Sequence, residues 1–358
     1  MRIRLKIERN PTPSKLMTTS VLVLSLGATL LITAIILLTQ GVDPLYAYAG
    51  IFIGAFGSWH GLSETLTKAI PLLLCGLGLT VAFRANFWNI GAEGQLLLGA
   101  FAATGVALFL PVQGLYLIPL MIMAGFFAGA AWGVITAIFR GKFGANEVVT
   151  TLMMNYIAIE LGKFLVTGPW KGPTQHGFPY TDVFPTSAQL PIIEGTRIHY
   201  TTLILGLVVA VLLYIMMKKT RLGYEIRVIG DNPHAAKYAG MGYTRTVLFI
   251  MIISGGLAGV AGVGEVAGVN HLLRPPVQIS QGYGFAAIIV AWIAMRNPLA
   301  AIASSIFMGG LLVGGDIFQT SLGLPFQTVN IFNGLILFFV IMGLVLRHYK
   351  ISLVRRSG

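Results

Sequence analysis

The feature that most restricts this chain is a succession of long apolar runs with almost no charge inside them. The first, residues 18–39, is 22 residues long and carries no charged side chain. A helix rises 1.5 Å per residue, so a run of this length spans the roughly 30 Å hydrocarbon layer of a bilayer. Runs of similar character follow at 64–83, 90–110, 115–139, 147–167, 200–217, 246–264, 281–295, 298–315 and 328–346. Within lipid every backbone amide must be satisfied inside its own segment, and that makes the runs helices. The predicted fold is therefore all-α, a polytopic membrane protein with about ten transmembrane helices. Residues 45–57 are apolar but only 13 long, which suits a short re-entrant or interfacial helix on the outer side.

Charge distribution sets the orientation. The net charge of +12 would suggest nucleic acid in a soluble chain, but here hydrophobic residues are 56% and charged residues 10% of the total. With both termini placed inside, 19 Lys and Arg residues fall on the cytoplasmic side and five outside, as the positive-inside rule requires. The basic pI is thereby explained without a nucleic-acid partner. The predicted division is a cytoplasmic tail at 1–17, a transmembrane domain at 18–346 and a cytoplasmic tail at 347–358. Within the domain, 168–199 forms an external loop with five prolines, and 218–245 forms a cytoplasmic segment. No convincing cleavage site precedes Gln40, so the first run reads as an anchor rather than a signal peptide.

Some chemistry is excluded. A lone Cys75 inside an apolar run allows no intrachain disulfide, and no P-loop pattern for ATP occurs. The six histidines are scattered in or near loops without metal spacing, and His199 and the others are expected to be solvated.

Three polar patches stand out against this background. In the first, 86–95 (NFWNIGAEGQ), Asn89 suits a helix cap, Glu93 the first turn beside the positive helix end, and Gln95 lies at the head of an apolar run. Polar groups there are equally a functional-site candidate, and Phe87 and Trp88 offer stacking surfaces. In the second patch, 144–158, Asn146 caps a helix whose Glu147, Thr151 and Asn155 share roughly one face. Such a stripe is either a substrate path or interhelical glue. The third patch lies within 220–246. Asn232 caps, Pro233 starts and Gly240 stops a helix over 234–239 that is too short to persist alone in water. It makes sense docked on a partner; the alternative is an ordinary polar loop kept basic to fix orientation. Ala235, Ala236 and Ala239 would form its small-residue face, with Asp231, His234, Lys237 and Arg245 supplying polar contacts.

NIGAEGQ, NEVVTTLMMNYIA, IGDNPHAAKYAGM and the closing GFAAIIVAWIAMRNP (284–298), in that order, resemble the permease subunits of bacterial ABC importers for simple sugars and nucleosides, within the branched-chain amino acid/ribose permease family. The resemblance runs from about residue 64 to 346, and the first two motifs take forms typical of the nucleoside branch. One departure is AWIAMR (291–296), where that branch reads closer to ALLGR.

The resemblance implies a subunit of the bacterial cytoplasmic membrane without chemistry or a cofactor of its own. ATP and Mg would be held by partner ATPase subunits docked on 231–240. A second permease chain, a different one in many systems, would complete the path, and an external lipid-anchored binding protein would deliver substrate. A purine-type nucleoside is the expected cargo and a simple sugar the alternative. Phe87, Trp88, Asn89, Glu93, Gln95, Thr151, Asn155 and Phe285 would line the way. A secondary transporter or an integral-membrane enzyme would need an ion-coupling repeat or clustered catalytic groups, and neither is visible.

Overall fold

A computed structural model describes residues 3–9, 15–111, 114, 116–321, 331, 334–336, 338–339, 341–343 and 349–355. Contacts divide the chain into two compact units, Ile53–Val313 and a second made of Met1–Phe52 with Gly314–Gly358. Among the described residues eight helices are long and apolar enough to cross a membrane, or nine when one sharply bent pair counts as a single span. The last expected span, 328–346, lies largely outside the described residues. Those of its residues that are described are helical.

In the larger unit three helices form the centre. Helix α3 (Trp59–Arg84) starts on Ser58, whose side chain accepts from the Gly61 amide, and it is buried continuously from Thr67 to Phe83. A helix apolar all round belongs inside. It packs with α4 (Ala92–Phe109) and α10 (Tyr243–Gly264). Around them stand α5 (Leu117–Phe143), α6 (Glu147–Thr167) and α7 (Tyr200–Lys219), which leave Phe127, Phe164 and Leu212 exposed on outward faces. The tightest seam is built from glycine. A Cβ on Gly259 of α10 would sit 2.0 Å from the Gly125 carbonyl of α5, and one on Gly99 of α4 would sit 2.1 Å from the Gly259 carbonyl. Lipid tails are as apolar as leucine, so close backbone approach replaces the hydrophobic effect as the packing force here.

Two connections depart from plain helices. At its far end α10 runs into a π-helical turn, Glu265–Asn270, and the chain continues through α11 (Pro276–Ser280) and α12 (Tyr283–Ile293). The 168–199 loop, with short 3-10 turns at Pro173–Gln175 and Thr186–Ala188, is tied to this turn by backbone bonds. Phe184 donates to the His271 carbonyl at 2.8 Å and Leu190 to that of Ala267 at 2.8 Å. At the opposite end lie α8 (Arg221–Asp231) and α9 (Pro233–Tyr238). Arg84 pairs with Asp231 at 3.0 Å, Arg296 approaches the Phe83 carbonyl at 3.5 Å, and Arg140 pairs with Glu147 at 3.3 Å. The basic helix ends that were grouped on one side by charge thus share one face of this unit. Helix α13 (Pro298–Ser321) begins from that face.

The smaller unit holds α1 (Lys15–Thr39) and α2 (Pro44–Phe56) up to Phe52; the two helices meet at a bend of 115°, with the Tyr48 hydroxyl donating to the Leu30 carbonyl at 2.6 Å. A short helix thus forms where a re-entrant or interfacial one is expected, at 45–57. The two segments read as tails contain strands: β1 (Ile3–Arg9) pairs antiparallel with β2 (Tyr349–Arg355), setting Leu5 opposite Leu353 and Ile7 opposite Ile351. Both segments alternate apolar and polar residues, the period of a strand, and the dense charge of the alternate positions hid that pattern.

Candidate functional site

The first two patches meet each other. Asn89 and Gln95 form a reciprocal amide pair, with bonds of 3.0 and 3.2 Å, and Asn89 also donates to the Ser254 hydroxyl of α10 at 3.0 Å. Its carbonyl oxygen accepts from the Gly91 amide at 3.0 Å. From α6, Thr151 accepts the Ile90 amide at 3.2 Å. Asn155 accepts the Gly94 amide at 2.8 Å and donates to the Ile90 carbonyl at 2.8 Å. The first amides of a helix have no partner within it, so these side chains satisfy the start of α4 from a neighbouring helix as well as from its own turn. Gly91 rather than Asn89 stands at the cap position of α4; Asn89 takes the Gly91 amide, and the helix amide of Gly94 is taken by Asn155.

Glu93 is 3% exposed and caps another element. Its carboxylate accepts the Gly284 amide at 2.8 Å and also faces the Ser280 hydroxyl and the amides of Gly282 and Phe285. These are the first turn of α12 and the segment leading into it. A Cβ on Gly284 would lie 2.3 Å from the Glu93 nitrogen, so glycine is what lets the two helix starts meet.

Six of the eight expected path residues, Phe87, Asn89, Glu93, Gln95, Thr151 and Asn155, are buried. Phe87 packs against Ala137, Val247 and Met251. The half-buried Trp88 rests against Phe83 and Trp292, ring centroids 5.7 and 5.3 Å away. Phe285 alone among the eight is open, at 39% exposure. In this conformation the polar residues bind helices to one another, as the glue reading has it.

The short helix forms one residue earlier than expected, over Pro233–Tyr238. The Asn232 side chain accepts from the amides of His234 at 3.0 Å and Ala235 at 3.1 Å, and Gly240 follows with φ 72°. Its outward face differs from the predicted alanine face. Ala236 is 2% exposed, because the helix turns that position into its own chain, while Pro233, His234, Ala235, Lys237, Ala239 and Gly240 are exposed. Asp231 is held by Arg84, so it is not an unoccupied rim contact. Tyr238, 94% exposed, is the outstanding apolar group on this helix and was missed. So was α8, although Leu222, Ile226 and Ile229 recur at helical spacing and the last two are buried.

Another expectation fails at His199. It is fully buried rather than solvated, because its ring lies against the backbone at Gly264 and Gly268, where no side chain intervenes. Burial pushes its imidazole down to about 4, and its Nδ1 pairs with the Thr202 hydroxyl. Sequence reading also ended α10 at Gly264 and so overlooked Glu265, which is 2% exposed in the π turn.

A many-span helical bundle, with a close glycine seam and a capped short helix displayed on its basic face, defines the class: a polytopic membrane protein. The family described as branched-chain amino acid transport system / permease component matches residues 61–344, and this chain belongs to it. It is thus a permease subunit of an ABC transporter. The glucose ABC transporter permease protein TsgB13 of Haloferax volcanii is 33% identical over 99% of this chain and 95% of its own length. The guanosine ABC transporter permease protein NupP of Bacillus subtilis is 31% identical, covering 91% of this chain and 93% of its own. The nucleoside ABC transporter permease protein NupB of Lactococcus lactis is 32% identical over 87% of each chain.

Proposed function

We propose that this chain forms part of the path by which an ABC importer carries a nucleoside, of purine type, across the cytoplasmic membrane. Both termini and 218–245 face the cytoplasm, and 168–199 faces outward, from the charge asymmetry. A second permease chain completes the path, an external binding lipoprotein loads it, and partner ATPase subunits hold ATP and Mg. The observation that carries the coupling role is α9: six residues, capped by Asn232, too short to persist unaided, and exposing Ala235, Lys237 and Tyr238 outward. A helix of that kind is suited to a groove on another protein.

Two relatives named for guanosine and nucleoside transport support the cargo. The relative named for glucose transport favours a second reading, a simple sugar. Phe285, exposed at the start of α12, is the aromatic best placed to meet a base. Stacking on one aromatic is worth about 1–3 kcal/mol, so Phe285→Ala should weaken nucleoside recognition roughly tenfold.

Uptake of labelled guanosine and glucose by the reconstituted complex tests the cargo. Guanosine uptake with no glucose uptake is expected, and the opposite selects the sugar reading. Coupling is tested with Ala235→Glu together with Tyr238→Glu, since Ala236 is needed inside its own chain. Normal membrane levels with loss of ATPase association are expected. Full transport by the double variant would reduce this segment to an orientation-setting loop.

A further inference from the structure

Glu265 opens the π turn at the end of α10 and is 2% exposed. Its backbone carbonyl accepts from the Asn270 side chain at 2.9 Å. Its carboxylate is different: among the described residues no donor hydrogen-bonds it and no cation pairs with it. Two cations stand near enough to attract it, Arg197 and Lys68, yet each is directed elsewhere. Arg197 is held by Glu64, with its Nε 3.0 Å from the carboxylate, and the Lys68 ammonium approaches the Leu312 carbonyl at 3.5 Å. A buried charge without a bonding partner is expensive, and inside a membrane protein it marks a functional site by default. π turns inserted in α-helices occur frequently at such sites.

The chemistry of a missing partner follows from the neighbours. The oxygens of a carboxyl group accept whether or not it holds a proton, so a partner that donates suits it. A cationic ligand would be opposed by Lys68 and Arg197, and an anionic one by Glu64, which favours a neutral donor. Two adjacent hydroxyls match the two oxygens of one carboxyl group. We infer that the Glu265 carboxylate is a recognition point for the vicinal hydroxyls of a neutral sugar ring, the pentose of a nucleoside or a free hexose. The inference rests on the reading of the chain as a sugar or nucleoside path. It also explains how one scaffold serves relatives named for guanosine and for glucose, which share that diol. The π turn is bonded to the 168–199 loop, the segment proposed above to face outward, where cargo would be delivered.

The test uses the intact complex in proteoliposomes, with its binding protein saturated so that the selectivity of that protein drops out. Initial uptake of labelled guanosine is compared with that of 2′-deoxyguanosine, which lacks one hydroxyl of the pentose diol. Wild type should carry the intact diol about tenfold faster than the deoxy analogue, the loss expected when a hydrogen bond goes unmade. Glu265→Gln should slow the intact substrate about tenfold and bring the ratio near one, with membrane level and ATPase association unchanged. A wild-type ratio near one, or a variant that keeps the wild-type ratio, overturns the inference while leaving the transport reading intact. A wild-type complex that carries neither guanosine nor glucose overturns the reading beneath it and this inference together. Should Glu265→Gln fail to accumulate, Glu265→Leu is read in its place, with the same ratio expected and the same result overturning the inference.

Discussion

Glu93 and Glu265 are buried to almost the same degree, 3% and 2% exposed, and both lie near Cys75 of α3. Their surroundings are opposite. Glu93 meets the Gly284 amide and faces the Gly282 and Phe285 amides and the Ser280 hydroxyl, so its oxygens are already occupied by donors at and just before the start of α12. Glu265 has two cations at a distance and no hydrogen bond to its carboxylate among the described residues. Burial therefore does not separate a structural acid from a functional one. The inventory of donors does, because a satisfied carboxylate has little left to offer a ligand.

That contrast can be broken by substitution. The largest effect is expected at Glu93. Glu93→Leu would strand the buried amides it now satisfies and should lower the stability of the purified complex by about 3 kcal/mol or more. The same change at Glu265 removes a carboxylate that bonds nothing and should be neutral or stabilising, as apolar replacement of buried charge often is. Thermal unfolding in detergent reads both, and equal losses would erase the distinction.

Gly284→Ala comes next. Its methyl would meet the Glu93 backbone at 2.3 Å, and overpacking of this kind costs about 1–3 kcal/mol. The unfolding midpoint should fall, whereas a neutral result would mean that the two helix starts are free to part. Asn155→Ala strands the Gly94 amide and should cost about 1–2 kcal/mol, with the loss appearing in stability before transport. If transport fails while the midpoint holds, Asn155 belongs to the substrate path. Smallest is Arg197→Ala. The side chain is 54% exposed, so its pair with Glu64 should contribute under about 1 kcal/mol to the same midpoint.

Local signals were legible before the structure. Asn146 accepts from the Val148 amide at 2.9 Å and Asn232 caps α9, because a cap is a short-range matter of one side chain and the next two or three amides. The apolar runs became helices for an equally local reason. What sequence did not reveal depends on residues far away in the chain. That Glu93 is satisfied rests on Gly284, 191 positions later, and the burial of His199 rests on glycines beyond position 260. Ala236 looked like a docking face because helical spacing cannot say which side of a short helix its own chain will cover. Glu265 escaped notice since the apolar run was taken to end one residue before it.

One measurement separates the two acids most directly, the uptake of labelled substrate per folded complex in Glu265→Gln beside Glu93→Gln. Glu265→Gln should accumulate normally and carry substrate about tenfold more slowly, the size expected for a lost hydrogen bond. Glu93→Gln should yield less folded complex, each copy of which transports normally. The reverse pattern, with Glu265→Gln unstable but active and Glu93→Gln stable but inactive, would contradict that separation.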